Sequence, residues 1–143
     1  MSNGDLGNLK VVSADNCGEF IGRVIEVRKD SPPNFPENQQ YHLLVQPEGI
    51  EVKGSTGCFH IYIRIPPTTI KTGGVVEGSV LYRYVQEIQA VLKEARNATT
   101  IDEVFEMIVN KKFLFQKQVL GQSYKGHDAV KYPTPKRLIE NGE

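Results

Sequence analysis

"SVLYRYVQEIQAVLKEARN", residues 79–97, decides the fold. Its opening "SVLYRY" looks like a strand, because β-branched and aromatic residues favour a pleated surface. The spacing of its apolar residues says otherwise. Positions 80, 81, 84, 85, 88, 91, 92 and 95 recur with the helical period over four turns. That spacing lays one apolar stripe along a helix. Ser79 stands where an N-cap belongs, since its hydroxyl can accept a first-turn N–H, and Asn97 is a suitable terminator. A second helix follows. Thr100 and Glu103 have capping-box spacing, and Ile101, Val104, Phe105 and Ile108 give its apolar face before a stop near Asn110.

Strands are expected on both sides of this helical segment. "FIGRVIEVRK" (20–29) is β-branched, with Ile21, Ile25 and Val27 on one parity and Arg23 as the exception. Gly18 and Gly22 permit a bend or a bulge there. "DSPPNFPENQ" (30–39) holds three prolines and reads as a loop, with Phe35 in it. "YHLLVQ" (41–46) is a second strand, and the glycines of 47–57 mark turns. "CFHIYIRIPP" (58–67) is a third strand, closed by Pro66 and Pro67. Downstream, "KKFLFQKQVL" (111–120) and "HDAVKY" (127–132) are strand-like and flank the turn "GQSYKG" (121–126). Pro133 and Pro135 are expected to stop the last strand.

The fold class expected is mainly β with α: a five-stranded, OB-fold-like Greek-key barrel with two helices inserted between strands 3 and 4. A mixed α+β sheet with helices on one face is the competing architecture. A flexible N-terminus over 1–8, one domain over 9–137 and a short tail over 138–143 complete the organisation.

Composition narrows the function. The chain has 143 residues, enough for one domain with its own core. Lys plus Arg equals Asp plus Glu at 17, so a nucleic-acid role must rest on a local patch. Such a patch is present, because residues 111–137 carry seven cations against Asp128 alone. Residues 86–110 carry two cations against five carboxylates. No apolar run approaches a membrane span, and "MSNGDLGNLK" has no signal-peptide character. A cytoplasmic protein without membrane contact is therefore expected. No phosphate loop, nucleophile elbow or zinc-protease motif is present, so no enzyme activity and no cofactor are expected. Cys58 and His60 share a parity, but closely spaced ligand pairs are missing, and no metal site is expected.

A resemblance adds to this reading. The helix at 79–97, the step "NKKF" (110–113), the tip Tyr124-Lys125-Gly126 and the close "VKYPTP" (130–135) are similar to the end of small OB-fold single-stranded DNA-binding proteins of phages and archaea. The likeness covers residues 79–137. Asn110 stands where the pattern has glycine, and the long acidic tail of bacterial single-strand-binding proteins is absent from this chain. What the resemblance implies is a non-sequence-specific binder of single-stranded DNA, acting in replication, recombination or repair.

Such a binder needs cations along the phosphates and flat side chains for base stacking. In an OB-fold these lie on the outer face of strands 2 and 3 and on the 1–2 and 4–5 loops. His60, Tyr62 and Arg64 occupy the outer parity of strand 3 if Ile61, Ile63 and Ile65 point inward. His42 does so on strand 2 if Leu43 and Val45 point inward. Phe35 lies in the 1–2 loop, and Tyr124 with Lys125 at the 4–5 tip. Lys112, Lys117 and Lys131 complete the expected nucleic-acid-binding set. Partners are single-stranded DNA, with RNA and self-association left open. The alternative is an assembly module whose aromatic face binds a protein subunit instead.

Overall fold

The computed structural model describes residues 18–34, 36–52, 54, 56–120 and 131–142. Five strands form one antiparallel sheet in the order β3-β2-β1-β4-β5. They are β1 (Glu19–Asp30), β2 (Gln39–Pro47), β3 (Phe59–Ile65), β4 (Lys112–Val119) and β5 (Lys131–Glu140). Between β3 and β4 come α1 (Pro67–Thr72), α2 (Val80–Val91), a 3-10 turn (Lys93–Asn97) and α3 (Ile101–Met107). The mainly β expectation holds, but the sheet is open: β3 and β5 are its edges and are not hydrogen-bonded to each other. Helix α2 packs against both of these edge strands. No described helix is long and apolar enough to cross a membrane.

The helical segment forms as its periodicity requires. Leu81, Tyr84, Val85 and Ile88 are buried, and the Ser79 hydroxyl accepts the Tyr82 N–H at 3.1 Å. The helix ends sooner than Asn97, because Leu92 turns extended at φ −127°. That break brings Leu92 and Ala95 into the core. A reciprocal pair secures it: Arg96 Nε donates to the Gln89 carbonyl at 2.9 Å, and Gln89 Nε2 donates to the Ala95 carbonyl at 3.2 Å. In α3 the Thr100 cap accepts the Glu103 N–H at 3.2 Å. The return bond goes one residue further back, from the Thr99 hydroxyl to Glu103 at 2.8 Å.

Strand β1 corrects the parity read from the sequence. Phe20, Gly22 and Val24 face the core, leaving Ile21 and Arg23 on the other parity. A β-bulge between Val24 and Glu26 then inserts a residue. It leaves Ile25 exposed and puts Glu26, Arg28 and Asp30 on the outer face. A bulge adds one residue to one strand and so reverses the phase beyond it. Gly22 does a different job from the expected bend. A Cβ there would meet Val45 Cγ1 at 2.6 Å, so the inner side chains close directly over its backbone.

Strand β5 is the second correction. It runs through Pro133 and Pro135 to Glu140, so residues expected as a tail belong to the sheet. Proline is tolerated on an edge strand when its missing N–H points away from the ladder. In a strand, a residue's N and C=O point to the same side. The Pro133 carbonyl accepts the Tyr84 hydroxyl of α2 at 2.8 Å, which places that side at the open edge. Tyr84 is fully buried and covers the edge. Between sheet and helices lies one core, in which Tyr41 stacks on Phe105 at 4.1 Å and Phe20 on Phe115 at 5.2 Å.

Candidate nucleic-acid interface

Strand β3 alternates as the sequence predicts. Phe59, Ile61, Ile63 and Ile65 are buried, whereas His60, Tyr62 and Arg64 are exposed. Across the ladder Leu43 and Val45 are fully buried, so even positions of β2 take the outer face. Register then sets the neighbours: His42 lies between Arg28 of β1 and Tyr62 of β3, and Gln40 between Asp30 and Arg64.

These side chains form an ordered row. Asp30 Oδ1 accepts Gln40 Nε2 at 2.8 Å, and Asp30 Oδ2 faces His42 Nδ1 at 2.8 Å. His42 Nε2 faces His60 Nδ1 at 2.7 Å, and His60 Nε2 lies 3.4 Å from the Thr56 hydroxyl. The Tyr62 ring stacks on His42 with centroids 4.5 Å apart. His42 is only 7% exposed, whereas Tyr62 is 48% exposed. His42 is thus mostly buried and supports the Tyr62 ring, the exposed member of the pair. One histidine face carries the tyrosine, and its two nitrogens tie the support to β1 and β3.

Electrostatics follows from this packing. Burial works to raise the Asp30 carboxyl, but bonds from Gln40 and His42 and the charges of His42 and Arg28 outweigh it and hold it low. Burial, then the charges of His42 and Arg28, pushes His60 below the usual histidine range. Arg28 is half exposed and bonds Glu26 at 2.8 Å. Burial raises the Cys58 thiol, which keeps it protonated and poorly nucleophilic. Among the described residues, no group of three or more His, Cys, Asp or Glu side chains is placed to hold a metal ion.

The remaining expected site residues separate from this face. Lys112 bonds Glu48 at 2.6 Å and lies 3.6 Å from Glu140, on the far side of β1 from β2. Its charge is already matched by these two carboxylates. Lys117 shares the parity of the buried Phe113 and Phe115 rather than the outer one. Lys131 is exposed at the start of β5, remote in the strand order from β3. Phe35, Tyr124 and Lys125 lie outside the described residues.

Arg28, Asp30, Gln40 and Thr56 join the face although the sequence reading did not select them. Asp30 was read as the first residue of the 30–39 loop, whereas β1 runs on to it and carries Arg28 on the same outer face. Thr56 belongs to the turn before β3, where its Oγ1 accepts the Cys58 N–H at 3.2 Å. No protein-family model matches the chain, and no curated protein sequence matches it.

Proposed function

We propose that the chain binds single-stranded DNA without sequence specificity, through the outer face of β2 and β3, in DNA replication, recombination or repair. The observation that carries this reading is Tyr62: half exposed, held on His42, and flanked on its strand by His60 and Arg64. A ring supported from below presents its outer face to a base at little ordering cost. Such stacking contributes about 1–3 kcal/mol per base and accepts any base.

Topology supports the same reading. Three consecutive strands lie side by side, and the fourth returns beside the first. An OB-fold built as a Greek key has its strands in that order, and its strand 2–3 face is its usual nucleic-acid site. Helix α2 packs on both edge strands. The basic C-terminal segment supports it less than its composition promised, since Lys112 and Lys136 face Glu48 and Glu87.

Fluorescence anisotropy of labelled single- and double-stranded oligonucleotides, at low and high salt, tests the proposal. The single strand should bind more tightly, with log K falling by about 0.7 per phosphate contact for each decade of salt. An RNA oligonucleotide of the same sequence ranks DNA against RNA. Absence of single-strand binding at low salt overturns the reading.

A further inference from the structure

Two imidazole nitrogens 2.7 Å apart, His42 Nε2 and His60 Nδ1, hold a single proton between them. With none, two lone pairs would face each other; with two, the N–H groups would clash. The Asp30 carboxylate accepts from His42 Nδ1, so that nitrogen carries a proton. Only His60 Nε2, at the exposed end of the row, is left to vary.

With both rings neutral, the shared proton sits on His60 Nδ1, and His60 Nε2 is a bare acceptor. When a proton from solvent arrives at His60 Nε2, the shared proton can cross to His42 Nε2. The positive charge then lies on His42, beside the Asp30 carboxylate. His60 presents an N–H outward and stays neutral itself. One proton uptake thus converts the exposed atom of the row from acceptor to donor.

We infer that His60 Nε2 is a proton-linked donor to a phosphate oxygen of the bound strand, available only after the Asp30–His42–His60 row has taken up one proton. This rests on the single-strand-binding reading. A phosphodiester oxygen accepts hydrogen bonds and donates none, so it pairs with the protonated row and repels the bare nitrogen. The charged and titratable groups around the row act as follows. On β1, Asp30 favours the added proton, and Arg28, bonded to Glu26, opposes it. Just before β3, Cys58 is held neutral by burial; on β3, Tyr62 covers His42, and Arg64 is exposed at the rim. Thr56, from the turn before β3, is uncharged. A bound phosphate supplies the negative charge that offsets Arg28, so binding and proton uptake reinforce each other.

The test is the affinity of a labelled oligothymidine between pH 5 and 8.5 at constant ionic strength. One linked proton predicts affinity falling by up to about tenfold per pH unit above the midpoint of the row and levelling below it. His60→Gln should bind with no such slope, because its side-chain amide keeps an N–H at every pH. His127→Gln, at the one histidine outside the pair, should keep the slope. Calorimetry of the native chain in two buffers of different ionisation heat should count one proton taken up near the midpoint. Pulling the two ideas apart is direct. Binding that is flat with pH, or a slope that survives His60→Gln, overturns the proton-linked donor alone; no binding at any pH overturns it together with the single-strand reading.

Discussion

Two polar clusters lie outward on the same sheet and differ in what they leave free. On β1, β4 and β5, Arg23 faces Glu140 and the Asn110 carbonyl, and Lys112 faces Glu48 and Glu140. That cluster borders a cavity of about 540 Å³ lined by Arg23, Asn110, Glu140, Asn141 and Gly142. On β2 and β3 no cavity is needed. Tyr62 stands on a buried histidine, and Arg64 has no ion-pair partner among the described residues. A cation already facing a carboxylate must lose that partner before it gains a phosphate. The first cluster therefore pins strand ends together, and the second leaves Tyr62 and Arg64 exposed, as the proposed binding requires. Counting lysines along the sequence cannot tell these apart, because pairing depends on register.

The comparison can be broken at graded cost. The largest effect lies behind the outer face of β3, where Ile63 is fully buried. Ile63→Ala should lower unfolding free energy by about 2–5 kcal/mol in urea titrations. Tyr62→Ala, one residue along, should change stability by a small fraction of that. In oligonucleotide anisotropy it should nonetheless weaken single-strand binding by about 5- to 150-fold, the equivalent of one lost stack. Unfolding of Tyr62→Ala would show that the ring belongs to the core. Next comes charge. Arg64→Ala should flatten the salt dependence by about one phosphate contact, roughly 0.7 in slope. Lys112→Ala should leave both affinity and slope unchanged, and a fall matching that of Arg64→Ala would erase the distinction between the clusters.

The smallest expected effect is on acid stability. Hydrogen bonding from Tyr41, then from Lys29, holds the Asp102 carboxyl below its usual range, and Asp30 is held low as well. Folded values below the unfolded ones give stability that is present above about pH 4 and lost as pH falls through the lowered values. Asp30→Asn should reduce that acid sensitivity in thermal melts from pH 6 to 2. An unchanged profile would mean that the row contributes no net stability through Asp30.

What could be read from sequence divides along physical lines. The α2 stripe, both helix N-caps and the alternation of β3 were legible, because each depends on residues within a turn or two of one another. The glycine-like role of Asn110 was half legible: it takes φ 70°, a left-handed conformation that asparagine tolerates. Its N–H donates to the Val24 carbonyl at 2.7 Å, beside the bulge. Other features depended on partners far away in the chain. Pro66 and Pro67 do end β3 and open α1, whereas Pro133 and Pro135 sit within β5. Both strands are edges, where proline is tolerated, so proline alone does not say whether the strand stops or runs on. The bulge in β1 likewise follows from pairing with β2. Asp30, read from sequence as the first residue of a loop, is the last of β1, where it bonds the buried His42.

The most direct test of the central claim is to map an oligothymidine onto the folded chain by amide and side-chain chemical-shift perturbation in NMR. Shifts should concentrate at Arg28, His60, Tyr62 and Arg64, with Arg23, Lys112 and Glu140 unmoved. Perturbations centred on Arg23 and Lys112, with Tyr62 silent, would contradict it.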